Sequence, residues 1–141
     1  MEFVKLTDSA ITPTRAYASA GYDLYADEDI ELAYQGDWHL TSTGISIAIP
    51  EGHVGYIHAK SGLATKQGIV LKNGTGVIDA DYRGEVKVPL MLNQDGKVVI
   101  TKGQKIAQLV LHPIYTPTLL EVEELPDTER GEGGFGSSGI K

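Results

Sequence analysis

Cysteine is absent from the sequence, and its absence removes disulfide scaffolds, thiolate zinc sites and cysteine nucleophiles together. Zinc-dependent deamination, which draws its metal ligands from cysteine, falls with them. Basic residues are also scarce: 12 Lys and Arg stand against 19 Asp and Glu, a net charge of −7. That balance argues against a broad footprint on a nucleic-acid backbone, so no direct nucleic-acid binding is expected. No apolar run is long enough to span a bilayer. The opening MEFVKLTDSA has no basic segment followed by an apolar stretch, so nothing suggests secretion and the expected location is the cytoplasm. His39, His53, His58 and His112 lack the i, i+4 spacing of zinc hydrolases.

What the chain does contain is a succession of short alternating segments. Its 141 residues suffice for one core. Glu2 to Leu6, Tyr22 to Ala26, Ile30 to Leu32, Trp38 to Leu40, Ile45 to Ile49, Val54 to Ala59, Glu85 to Leu92, Val98 to Thr101 and Ile106 to Leu111 all read as strands. Ile30 to Leu32 and Trp38 to Leu40 flank a Gln35-Gly36-Asp37 turn, and Pro89 implies an edge or a bulge. Turn signals every eight to twelve residues or so indicate an all-β sandwich or barrel over 1–125. Glu121 to Glu124 is expected as a solvated edge strand.

Three stretches break the pattern. In KSGLATKQG (60–68), Ser61 is expected to cap one helical turn whose free N–H groups, with Lys60, attract an anion. Asn73 to Glu85, NGTGVIDADYRGE, suits two short strands meeting in a tight hairpin, with Asp79 and Asp81 near the turn and sharing a face beside Tyr82. Past Pro126 comes the glycine-rich DTERGEGGFGSSGIK, expected to be mobile. Its Arg130, Phe135, Ser137 and Ser138 supply a guanidinium, a stacking ring and two hydroxyls, the parts of a phosphate clamp. It is not a P-loop, because Ser137 stands where the lysine belongs and no helix follows. Within the apolar run of 106–111, Gln108 either joins a polar network or faces a ligand.

Five segments in order resemble the motifs of the homotrimeric dUTP diphosphatases (dUTPases): AGYDLYA (20–26), KSGLATKQGI (60–69), NGTGVIDADYRGE (73–85), KGQKIAQL (102–109) and RGEGGFGSSG (130–139). The resemblance implies a jelly-roll-like subunit with 126–141 as a lid, three subunits around an axis, and active sites at their interfaces. It implies hydrolysis of dUTP to dUMP and pyrophosphate, limiting uracil in DNA and supplying dUMP for thymidylate synthesis. Asp79 would be the general base that holds the attacking water. Asn73, Gly76 and the backbone of Val77 and Ile78 would take uracil, and Tyr82 would lie under the deoxyribose, excluding a ribose hydroxyl.

On the same resemblance, Lys60, Ser61, Gly62 and Gln108 would meet the phosphates, with Arg130, Gly136, Ser137 and Ser138 closing from the tail and Phe135 stacking over the base. Asp23 would anchor Lys60 from behind, Asp81 would support the loop, and Lys87 would line the site. Mg²⁺ would be held by substrate phosphates and water rather than by protein ligands. The family usually carries Arg where Lys60 stands, and a lysine keeps the charge but loses the bidentate fork. Two other readings compete. The related dCTP deaminases place a catalytic glutamate where this chain has Pro89, and a dUTP-sensing or partner-binding protein could keep the same pocket.

Overall fold

A computed structural model describes residues 1–139. The chain runs through β1 (Phe3–Lys5), β2 (Tyr22–Tyr25), β3 (Ile30–Leu32), β4 (Trp38–Ser42), β5 (Ile45–Ile47), β6 (His53–Ala59), α1 (Ser61–Gln67), β7 (Ile69–Leu71), β8 (Gly76–Ile78), β9 (Lys87–Leu92), β10 (Val98–Ile100) and β11 (Lys105–Pro113). The alternation seen in the sequence is what turns these segments into strands with one apolar face. Ile45, Ile47 and Ile49 are buried, as are Val86, Val88, Leu90 and Leu92, at every second position. They pack with Leu24, Leu32, Ile57, Ile69, Ile100, Ile106 and Leu109 into one core.

The fold is all-β, of jelly-roll type. One sheet has the order β2-β11-β6-β8 and a second the order β4-β9-β7; β1 pairs β5, and β10 pairs β3, all antiparallel. Most neighbours in space are therefore distant in sequence. The segments on either side of the Gln35-Gly36-Asp37 turn are strands, but they do not form a hairpin: β3 goes to β10 and β4 goes to β9. Among the described residues, every deeply buried side-chain nitrogen and oxygen has a hydrogen-bond partner. Thr43, for example, donates to the Val86 carbonyl at 2.5 Å.

Three expectations change. Asn73 to Glu85 is not a hairpin, because β8 pairs β6, no strand follows until β9 at Lys87, and β9 pairs β4 and β7 in the other sheet, so the Asp79–Asp81 turn carries the chain from one sheet to the other. Ser61 is not the cap of α1. Lys60 holds that position without a side-chain cap, and Gly68, left-handed at φ 68°, closes the far end by donating to the Leu63 carbonyl. Residues 121–124 form no strand and belong to none of the sheets.

Pro89 lies on the central strand of its sheet rather than at a sheet edge. Its carbonyl accepts from Lys72 N–H at 2.8 Å. The nitrogen of the same residue faces the same neighbour, so Lys72 and Pro89, next in register after Leu71 and Leu90, share one bond where other residues would exchange two, and β7 ends there. Among the described residues, no helix is long and apolar enough to cross a membrane.

Candidate active site

A cleft of about 540 Å³ opens between residues of the two larger sheets. One side is β8, with Asn73 in the turn before it; the other is Leu40 and Pro89, cross-strand neighbours on β4 and β9. β8 is an edge strand, paired to β6 through Gly76↔Ile57, Val77↔Tyr56 and Ile78↔Gly55. Alternate backbone N–H and C=O groups on its free side therefore remain available to a ligand. Gly76 is bare because a Cβ there would stand 3.0 Å from Ile57 Cβ.

Immediately after β8 the chain leaves the ladder. Tyr82 N–H donates to the Asp79 carbonyl at 3.1 Å, which folds Asp79 to Tyr82 into a turn and sets both side chains on the cleft. Arg83 braces this turn by donating to the Ala80 and Tyr82 carbonyls at 2.7 and 3.1 Å. Lys87, 3.8 Å from Glu85, supplies a cation to the cleft. Asp81 does not share a face with Asp79. It lines a different cavity, with Ile49, Glu51, Ala80 and Arg83, because the intervening residues are turned rather than extended.

A second cluster gathers where β2, β11 and the end of β6 meet. Cross-strand register sets Gln108 between Asp23 and His58. The Gln108 amide donates to the Ala59 carbonyl at 3.1 Å, which ties its nitrogen into the chain. Asp23 receives the Lys60 ammonium on one oxygen at 2.5 Å and the Lys105 ammonium on the other at 2.9 Å. Burial pushes the Asp23 carboxyl up, but the hydrogen bonds and charges of the two lysines outweigh it and hold the group below its ordinary value. Lys105 is raised in turn by its bond to Asp23. Ser61 and Gly62, the first residues of α1, are exposed beside this cluster.

The tail forms a third group. Arg130 Nε donates to the Gly133 carbonyl at 2.7 Å, and turns close from Gly131 to Thr128, Gly133 to Arg130 and Ser137 to Gly134. Arg130, Phe135, Gly136, Ser137 and Ser138 line a cavity of about 480 Å³ made by tail residues alone. None of the described tail residues lines the cleft around Asp79. The last two residues of the expected 126–141 lid lie outside the described residues.

Within one copy, then, Asn73, Gly76, Val77, Ile78, Asp79, Tyr82 and Lys87 come together, whereas Lys60, Ser61, Gly62 and Gln108 stand with Asp23, and the tail residues stand by themselves. Leu40, Glu85 and Pro89 in the cleft, and Lys105 on Asp23, were not among the residues singled out from sequence. Glu85 and Lys105 sit inside two of the five motifs, which was the available signal. Leu40 reaches the cleft only through the nonlocal pairing of β4 with β9 and left none.

A magnesium ion fits this donor set in one way. Among the described residues no three His, Cys, Asp or Glu side chains converge, and both Asp23 oxygens are engaged by lysines. Such a surface suits an ion carried on substrate phosphates with water in its other positions.

Comparison with known proteins gives one family throughout. The dUTPase family model matches residues 8–139. A deoxyuridine 5'-triphosphate nucleotidohydrolase of Hydrogenobaculum sp. is 44% identical over 138 residues, 97% of this chain and 96% of that protein. The enzyme of the same name from Paramecium bursaria Chlorella virus 1 is 49% identical over 137 residues, covering 96% and 95%. Among solved structures, a variant dUTPase of Staphylococcus bacteriophage 80alpha with dUpNHpp superposes with a TM-score of 0.91 at 32% identity, covering 99% and 98% of the two chains. A variant from phage phi11, described for its coordination of a structural Mg(II) ion, gives 0.83 at 29% identity, covering 89% and 98%.

Proposed function

The chain belongs to the dUTPase family, and from that premise we propose that it hydrolyses dUTP to dUMP and pyrophosphate with Asp79 as general base. The observation that carries the reading is the juxtaposition, in one cleft, of the free edge of β8, the Asp79 carboxylate and the Tyr82 ring. A strand edge offers backbone donors and acceptors at fixed spacing, and these match the hydrogen-bonding edge of uracil while a close wall leaves no room for a thymine methyl. Tyr82 bounds the space for the sugar.

In the proposed step, Asp79 takes a proton from a water as its oxygen attacks the α-phosphorus. The bond from that phosphorus to the bridging oxygen breaks, and pyrophosphate leaves with the electron pair. Most of the acceleration comes from positioning and charge stabilisation. Magnesium, carried by the triphosphate, neutralises phosphate oxygens when bound. Lys60, Ser61, Gly62 and Gln108 meet the phosphates, with Asp23 fixing the Lys60 ammonium. Arg130, Gly136, Ser137 and Ser138 close over them, and Phe135 covers the base.

These three groups are apart within one copy, and a homotrimer that joins them at its interfaces is part of the proposal. Support comes from the segment after β11. Ile114, Tyr115, Leu119, Leu120, Val122 and Leu125 are all exposed, far more apolar side chain than a free arm keeps in water. A cytoplasmic setting belongs to the same reading. Pyrophosphate release from dUTP, with Asp79→Asn as control, tests it; hydrolysis at the parental rate by the amide variant would contradict it.

A further inference from the structure

The loop that carries Asp79 and Tyr82 leaves strand β8 and returns to strand β9 without pairing to either sheet in between. Something else must fix it. At its downstream end the Glu85 carboxylate accepts from Ser42 Oγ at 2.5 Å and from Gly44 N–H at 2.9 Å, tying the loop to the corner between β4 and β5. The Glu85 carbonyl accepts from the Tyr82 hydroxyl at 2.8 Å. Between them Gly84 lies flat against the ring: a Cβ there would stand 2.5 Å from Tyr82 Oη and 2.6 Å from Cζ. Val86, next along, is buried and donates to the Ile45 carbonyl at 2.8 Å, so the anchor point itself cannot drift.

We propose that Gly84 and Glu85 are positioning residues that set the Tyr82 ring and thereby the discrimination between deoxyribose and ribose nucleotides. The inference rests on the proposed placement of Tyr82 beside the sugar. Tyr82 is 42% exposed, and two local contacts restrain its ring. The hydroxyl tether fixes how far the ring tip reaches, and the bare α-carbon of Gly84 lets the ring lie down. Neither group need touch the substrate. A ring displaced by about an ångström would open the space that a 2′-hydroxyl needs.

The test is the ratio of kcat/KM for dUTP to that for UTP, measured with Tm on the full chain and on Gly84→Ala, Glu85→Ala and Glu85→Gln. Gly84→Ala must push the ring aside, and Glu85→Ala releases the anchor. Each is expected to lower the ratio about tenfold or more, chiefly through faster turnover of UTP. Glu85→Gln retains an oxygen acceptor for Ser42 and Gly44 and should keep the ratio within about threefold of the parent.

A purely structural role would lower Tm without moving the ratio, and that result overturns the inference. So does a Glu85→Gln ratio as low as that of Glu85→Ala, since geometry would then not be what matters. If Gly84→Ala does not fold, the two Glu85 variants decide. A parent protein inactive on dUTP defeats the functional reading itself, whereas an active parent with unchanged ratios in the variants defeats only this inference.

Discussion

β8 enters the cleft already paired to β6 at three positions, while the tail from Thr128 to Gly139 makes its hydrogen bonds only within itself among the described residues. Between these extremes sits the Asp23 cluster, held by charge: two lysines on one carboxylate. The contrast matches what each part recognises on the proposed reading. A planar base with a fixed hydrogen-bonding edge is best met by backbone that strand pairing has immobilised. A triphosphate is flexible and highly charged, and it is met by side chains and turns that can close around it. On the proposed placement, rigidity stands at one end of the substrate and adaptability at the other.

Substitutions should therefore act differently in the two regions. The largest effect is expected at the rigid end: Asp79→Asn should lower kcat by about 10²- to 10⁴-fold, with Tm nearly unchanged because the side chain faces the cleft. Removing residues 130–141 should follow, lowering kcat about a hundredfold and leaving Tm within a few degrees on a thermal melt. Equal losses of activity and stability would instead make the tail part of the folded body.

Third in size is Asp23→Asn, which frees Lys60 and Lys105 and should reduce kcat/KM about tenfold. It should also alter acid stability. Asp23, Asp27 and Glu28 are all held below their ordinary values. For Asp23 and Asp27, burial acts upward and is outweighed: at Asp23 by the two lysines, at Asp27 by Thr7, Ser9 and Lys102. The Ser42 N–H is the main cause at Glu28.

A carboxyl depressed on folding stabilises the native state at pH above its unfolded value and loses that contribution as pH falls through its folded one. Tm should therefore drop on acidification below about pH 4, and drop less steeply in Asp23→Asn. Smallest of all, Lys60→Arg should preserve or improve turnover, within about threefold, since a guanidinium keeps the charge facing Asp23 and adds a fork for phosphate. A large loss in steady-state kinetics would mean that position 60 does something else.

The same contrast explains what could be read from the sequence. Strands such as Ile45 to Ile47 and Lys87 to Leu92 were legible because burial of one face leaves a period of two in the apolar residues. Asp23 with Lys60 was legible because two motifs each carried one member of an ion pair, now seen at 2.5 Å. Pairing was not legible. The stretch around Asp79 and Asp81 looks locally like the turn of a hairpin, and only the pairing of β8 with β6 and of β9 with β4 and β7 puts the strands on either side of it into different sheets. The cap at Lys60 was missed for a similar reason, since helix position depends on where β6 ends. Leu40 entered the cleft through a strand partner 49 positions away at Pro89, a distance no local pattern spans.

The central claim is that rigid recognition and adaptable phosphate binding are joined between copies of the chain, not within one. It is tested most directly by mixing two inactive proteins, Asp79→Asn and the form lacking 130–141, refolded together in equal amounts and assayed for pyrophosphate release from dUTP. If each site takes its Asp79 and its tail from different copies, about a quarter of the sites in the mixed assemblies regain both, and activity should return to about that fraction of the parent. A rate no greater than the sum of the two separate variants would contradict the account.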